Sequence, residues 1–188
     1  MPSALVVPRP IVLIGLMGVG KTCIGQRLAE RLDLPFVDSD IEIEAAAGCT
    51  VEDIFAIYGE PAFRDVERRV IARLLSGPVQ VVATGGGAFM DAETRRLVKE
   101  RAISIWLRVE LDILVARVGR RQNRPLLKKG DPRAVLSRLM AERDPHYATA
   151  DMVVDGNREP PEATVGRVIA GLTAHLAAAR PAATGALS

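Results

Sequence analysis

The sequence predicts an α/β fold, a five-stranded parallel sheet flanked by helices, and three observations lead to it. Five short apolar runs alternate with stretches of helical periodicity from Ile11 to Leu176. The first run, Ile11–Ile14, enters Gly15-Leu16-Met17-Gly18-Val19-Gly20-Lys21-Thr22, which fits G-x-x-x-x-G-K-[ST] at every fixed position and is therefore a P-loop. The chain has 188 residues, 48% of them apolar and 26% charged, which is the size and balance of one globular domain with a real core.

Met1–Pro10 carries three prolines and no periodicity, so residues 1–10 read as a flexible lead-in to a single domain over 11–176. Ile11–Ile14 is a buried strand. In the loop after it, glycines let successive backbone N–H groups turn inward around an anion, Lys21 adds a point charge, and Thr22 offers a hydroxyl to Mg²⁺. The helix that begins here, about Lys21 to Leu32 with Ile24, Leu28 and Leu32 on one face, aims its positive dipole end at the same place. Pro35–Asp38 is a short second strand. Asp38-Ser39-Asp40 opens a helix through Ala47 with Gly48 as its stop, and Thr50–Asp53 is a capping box for another ending near Tyr58-Gly59. After Pro61 a longer helix carries the stripe Phe63, Val66, Val70 and Leu74.

Val79–Thr84 is the third apolar run and leads into Gly85-Gly86-Gly87. Asp91 caps a helix to about Glu100, Ile103–Leu107 is the fourth strand, and Leu111–Val118 is helical. The character changes at Gly119–Gly130, which is basic and proline-interrupted with no apolar stripe, as expected of a mobile surface segment. Asp131-Pro132 starts a helix to about Arg143. Met152–Val154 is the fifth strand, and Val165, Val168, Ile169, Leu172 and Leu176 mark a closing amphipathic helix. Residues 177–188 read as a flexible tail.

The bulk numbers exclude several functions. A net charge of +2 is too small to indicate nucleic acid, and no apolar segment has the roughly 18 residues needed to cross a bilayer. Two cysteines, Cys23 and Cys49, make no disulfide framework, and no apolar run of signal-peptide form opens the sequence, so a cytoplasmic, reducing setting is expected. With only His146 and His175, any metal is expected to arrive with a nucleotide rather than in a protein-built zinc site. A monomer is the expectation, because no oligomerisation helix is visible.

In parallel sheets ligands bind beyond the carboxyl ends of the strands. The P-loop, Asp38-Ser39-Asp40 and the triple glycine each follow a strand, so these distant stretches should meet on one edge. Phosphoryl transfer needs Mg²⁺ near the phosphates and an acceptor hydroxyl that loses its proton near the terminal phosphorus; two acids one residue apart can divide those tasks. Alternatively Asp38 only ends a strand and Asp40 only caps a helix. The third strand ends in Thr84 and glycines rather than an acid, which leaves Asp38 as the supplier of the metal-organising carboxylate. Arg64 and Glu67, three apart on a helix, share a face: either a surface ion pair worth about 0.2–0.5 kcal/mol, or Glu67 orienting the Arg64 fork to grip a substrate carboxylate. Gly85-Gly86-Gly87 is either a plain turn or a bare surface that lets a small ligand approach backbone N–H groups.

Taken together, Gly15–Thr22, Asp38-Ser39-Asp40, Phe63-Arg64-x-x-Glu67, Thr84-Gly85-Gly86-Gly87, Arg124-Pro125-Leu126-Leu127 and Arg143 with Tyr147 downstream resemble the ordered motif set of shikimate kinases. The resemblance spans about Ile11 to Leu176. It implies a fold similar to the nucleoside monophosphate kinases, with a mobile lid at about 119–130, and transfer of the ATP γ-phosphate to the 3-hydroxyl of shikimate with Mg²⁺. By motif, Gly18, Val19, Gly20, Lys21, Thr22 and Cys23 would bind the nucleotide, Lys21 would stabilise the transferring group, and Thr22 with Asp38 would hold Mg²⁺. Asp40 would bind the acceptor hydroxyls and act as, or near, the base. Arg64, Gly85, Gly86, Gly87 and Arg143 would hold the shikimate carboxylate and ring. Arg124 would be the lid arginine that swings over the phosphates, Arg117 would lie near the nucleotide, and Asn157-Arg158 would lie near adenine. The rivals are a gluconate-type kinase of the same fold and a catalytically silent P-loop module that senses a ligand.

Overall fold

Strand β1 (Ile11–Ile14) has every residue buried, although successive side chains point to opposite faces, so the sheet is covered on both sides at its centre. In the computed structural model, which describes residues 5–119 and 130–179, β1 pairs in parallel with β3 (Val81–Ala83) and with β4 (Ile103–Val109). Val12 sits opposite Val82 on one side and Ser104 on the other. The outer strands β2 (Phe36–Asp38) and β5 (Met152–Gly156) complete an all-parallel sheet in the order β2-β3-β1-β4-β5. The chain steps outward from β1 to β2, returns through β3, and then crosses β1 to reach β4. The order therefore reverses at β1, which opens a crevice at its carboxyl end.

The helices follow from this winding. Helices α1 (Lys21–Leu32) and α7 (Pro161–Ala179) pack together, fixed at their surface by an ion pair of 2.7 Å between Arg27 and Glu162. Helix α2 (Ser39–Ala47) ends, as expected, on Gly48 in the left-handed region at φ 71°. The two helices expected on either side of Gly59 form one run, α3 (Val51–Leu75), broken where Gly59 takes φ 79° and ψ 173°. Pro61 then falls in the first turn after the break, where a missing N–H costs nothing, and Phe55 and Phe63 meet across it with ring centroids 4.5 Å apart. A single 3₁₀ turn, Ala88–Met90, follows the triple glycine and leads through the Asp91 cap into α4 (Ala92–Arg101).

Helix α5 (Leu111–Gly119) packs on α6 (Pro132–Tyr147). The latter runs past Arg143 and through Pro145 to Tyr147, further than the sequence suggested. Strands β4 and β5 are each two residues longer than expected, ending at Val109 and Gly156. Ser104, buried in β4, is satisfied by Asp151, whose Oδ2 accepts from the serine N–H at 2.8 Å and from its hydroxyl at 2.7 Å. The near end of the lead-in is packed: Val7 is buried in the core and the Pro10 carbonyl accepts from the Ile103 N–H at 2.8 Å. At the far end α7 continues to Ala179, past the expected start of the tail. Arg124 and the rest of 120–129 lie outside the described residues, as do 1–4 and 180–188.

Candidate active site

The P-loop is built by backbone that other residues would resist. Gly15 leaves β1 at φ 141°, and a Cβ there would lie 2.6 Å from the Leu107 carbonyl oxygen on β4. Gly20, at φ 100°, caps α1 without a side chain, and the start of α1 faces the crevice, where its positive dipole end suits an anion. The Lys21 ammonium lies over the loop, donating to the carbonyls of Gly15 at 2.7 Å and Leu16 at 2.8 Å.

Asp38 is the N-cap of α2: its Oδ1 accepts from the Asp40 N–H at 3.0 Å, while its Oδ2 accepts from the Thr22 hydroxyl, also at 3.0 Å. The capping acid is thus Asp38 and not Asp40. One carboxylate ties the end of β2 to the first turn of α1, which brings together the two oxygen donors expected at Mg²⁺. Asp40, one residue into α2, turns toward the triple glycine, and a Cβ on Gly85 would lie 3.0 Å from its Oδ1. Burial pushes the Asp40 carboxyl up from the ordinary aspartate range; the neighbouring Asp38 charge adds to this, while Lys21 and Arg64 oppose it. A carboxyl so placed accepts a proton more readily than a free aspartate.

The triple glycine is hemmed in by charge. The same Cβ on Gly85 would lie 3.3 Å from Glu67 Oε1, one on Gly86 would lie 3.1 Å from Arg143 Nη1, and one on Gly87 would run into the Arg64 guanidinium, 2.8 Å from Nη1. These glycines are therefore bare because guanidinium and carboxylate groups occupy the space a side chain would need. Glu67 is 2% exposed; its Oε2 accepts from Arg64 Nη1 at 2.6 Å and its Oε1 has no hydrogen-bond partner among the described residues. The pair is not the surface ion pair of the alternative reading. Burial pushes the Glu67 carboxyl up, and the bond and charge of Arg64 pull it back.

From this corner a cleft of about 1000 Å³ runs past the P-loop toward α5 and α7, lined among others by Lys21, Cys23, Asp40, Gly86, Arg117 and Arg158. Arg117 closes its far end, donating to the Val19 carbonyl at 3.2 Å and to the Asn157 carbonyl at 2.6 Å, so the P-loop and the turn after β5 are held by one guanidinium. Cys23 and Cys49 are free thiols, and Cys23 accepts from Arg27 Nη1 at 2.8 Å.

Lys21, Thr22, Asp38, Asp40, Gly85 and Gly86 thus share the cleft wall, with Arg64, Gly87 and Arg143 beyond its inner end. Tyr147, marked in the sequence only by its place in the motif downstream of Arg143, gains a role in the site, as its hydroxyl donates to the Gly86 carbonyl. Its i+4 spacing from Arg143 was a usable signal, obscured by ending α6 at Arg143. Among the described residues no group of three or more His, Cys, Asp or Glu is placed to hold a metal. Thr22 and Asp38 offer hard oxygen donors that fit Mg²⁺ when phosphate and water oxygens complete its shell.

A shikimate kinase family model matches residues 17–173 of this chain. A shikimate kinase of Paramagnetospirillum magneticum is 57% identical over 168 residues, covering 89% of this chain and 86% of that one. A shikimate kinase of Rhodopseudomonas palustris is 53% identical over 173 residues, covering 92% and 85%. Among solved structures, the shikimate kinase of Acinetobacter baumannii in complex with shikimate superposes with a TM-score of 0.83 at 36% identity, covering 88% of this chain and 93% of that one.

Proposed function

This chain belongs to the shikimate kinase family, and from that premise we propose that it transfers the γ-phosphoryl group of ATP to the 3-hydroxyl of shikimate, giving shikimate 3-phosphate and ADP. The observation that carries the reading is the inner corner of the cleft. There Asp40, half-buried and raised toward proton acceptance, shares the cleft wall with the P-loop lysine and faces the triple glycine, against which Arg64 and Arg143 also lie.

The amides at the start of α1 and Lys21 cradle the nucleotide phosphates, and Arg117 and Arg158 flank the far part of the nucleotide. Arg64, aimed by Glu67, and Arg143 grip the shikimate carboxylate, with the bare Gly85–Gly87 backbone against the ring. This orients the 3-hydroxyl toward the terminal phosphorus. Its oxygen forms the new P–O bond as the bond to ADP breaks, and its proton goes to Asp40. Lys21 follows the charge that spreads over the transferring group. Thr22 and Asp38 would hold Mg²⁺, which when bound would neutralise phosphate charge. Arg124, in the basic stretch 119–130, is read by its motif as the arginine that meets the phosphates and keeps water from taking the phosphoryl group.

The working unit is read as a monomer of one domain acting in the cytoplasm on ATP and shikimate, with neither nucleic acid nor a membrane as partner. A near-balanced net charge of +2 supports the reading that nucleic acid is not a partner. A coupled assay of ADP release with Mg·ATP tests the reading against shikimate, gluconate and AMP in separate runs. Turnover is expected with shikimate alone. Preference for gluconate, or no turnover with any acceptor, overturns it in favour of a gluconate-type kinase or a silent sensing module.

A further inference from the structure

Tyr147 is fully buried at the end of α6, with its ring beside Trp106 and Phe89 at centroid distances of 5.8 and 6.5 Å. A buried tyrosine needs a partner for its hydroxyl, and here the O–H donates to the carbonyl of Gly86 in the middle of the triple glycine. One helical turn earlier, Arg143 lies against the same phenol oxygen, and the phenol is thereby held between the guanidinium and the glycine peptide. Both neighbours belong to the carboxylate grip described above.

From this geometry we propose that Tyr147 is a positioning residue for the substrate carboxylate, acting through the Gly86–Gly87 peptide and the Arg143 guanidinium and touching neither substrate itself. Three consecutive glycines have the freest backbone a chain can have, and a grip made of their N–H groups is useful only if that freedom is removed. In a trans peptide the carbonyl of Gly86 and the N–H of Gly87 point in opposite directions, so fixing the carbonyl aims the N–H. The phenol oxygen in turn accepts from the Arg143 guanidinium, and a donor–acceptor chain of this kind strengthens each bond in it. Burial pushes the phenol up to about 12, so the O–H remains a donor throughout the working pH range. The aromatic cage of Trp106 and Phe89 prevents the ring from swinging away.

The inference rests on the shikimate reading, and the test separates the two. Tyr147→Phe keeps the ring and its packing and removes only the hydroxyl. The expected result is a rise in KM for shikimate of about five- to twenty-fold, from one lost hydrogen bond and a carbonyl left without a partner, with KM for ATP within about two-fold of wild type and a Tm lowered by only a few degrees. Leu136→Val, on a fully buried residue of the same helix, loosens the packing and spares the phenol; it should lower Tm and leave KM for shikimate in place. An unchanged KM for shikimate in Tyr147→Phe overturns the proposal, as does an equal rise in both KM values or an equal rise in Leu136→Val. A second measurement leaves the fold untouched. The chain has two tyrosines, so in the fluorotyrosine-labelled protein ¹⁹F resonances distinguish Tyr147 from the exposed Tyr58. The Tyr147 signal should move on adding shikimate and not on adding ATP alone, and a signal indifferent to shikimate overturns the proposal. Wild-type enzyme that fails to turn over shikimate sinks the functional reading and this inference with it; active wild type with a silent Tyr147→Phe sinks this inference alone.

Discussion

Replacing Arg64 by alanine separates binding from stability in a way that depends on one buried atom pair. Arg64 Nη1 and Glu67 Oε2 are 2.6 Å apart, the arginine side chain is 25% exposed and the glutamate 2%. For binding, loss of a charge-assisted contact to the substrate carboxylate removes about 1.5–3 kcal/mol, so KM for shikimate should rise roughly ten- to a hundred-fold while KM for ATP changes little. For stability, the variant leaves Glu67 buried without its cation. Breaking a buried pair typically costs about 3–5 kcal/mol, and since Arg64 is partly solvated the lower figure applies, about 6–12 °C in Tm for a chain of this size. The cost carries a pH signature. The Glu67 carboxyl is already raised above its ordinary 4.5, so the folded state binds its proton more tightly than the unfolded state does. That stabilisation is complete below 4.5 and is lost as pH climbs through the folded value. Without Arg64 the value climbs further, and the interval over which stability falls widens upward. The Tm deficit of Arg64→Ala should therefore be small near pH 4.5 and grow toward pH 8, as measured by calorimetry alongside initial-rate kinetics. A deficit of constant size across that range, or equal weakening of shikimate and ATP, would refute the reasoning.

Asp40→Asn removes the proton acceptor without changing its shape, and kcat should fall about 10²–10⁴-fold with KM for ATP preserved; because burial raises the Asp40 carboxyl, the acid limb of the wild-type kcat profile should lie above pH 3.8 and vanish in the variant. Gly87→Ala places a methyl group against the Arg64 guanidinium, the movable end of a long side chain, so the protein should still fold, with a smaller Tm loss than Arg64→Ala because Glu67 keeps a cation nearby, while KM for shikimate rises; loss of folding instead would show that the guanidinium cannot give way. Arg117→Ala cuts the link between the Val19 and Asn157 carbonyls and should raise KM for ATP severalfold with shikimate unaffected, measured by varying each substrate at saturation of the other. Arg124→Ala should lower kcat strongly with little change in shikimate binding, and an unaltered kcat removes it from the catalytic set.

The sequence was enough for the strand–helix alternation, the P-loop and the likeness to shikimate kinases, because each is written in local spacing: a fixed glycine pattern, a period of 3.6, an apolar run before a turn. Where local signals conflicted, the reading stopped short. The expected end of α6 is about Arg143, yet the helix continues through Pro145 to Tyr147, because ring packing on Trp106 and Phe89 outweighs one missing backbone donor. Gly59 and Pro61 suggested two separate helices, and the chain instead changes direction within one run, where Phe55 and Phe63 stack across the break.

Residue identity alone determined that Asp38, Asp40, Arg64 and the triple glycine were chemically suited to one reaction. Only the tertiary structure decided how they divide the work. Asp38 rather than Asp40 became the cap, Glu67 lost its water and changed from a surface partner into a buried anchor, and Tyr147 reached Gly86, sixty-one positions away in sequence. The physical reason is that motif spacing reports what neighbours along the chain can do for one another. Desolvation, and with it the strength of every charge in the site, is set by which strand ends the parallel sheet brings side by side.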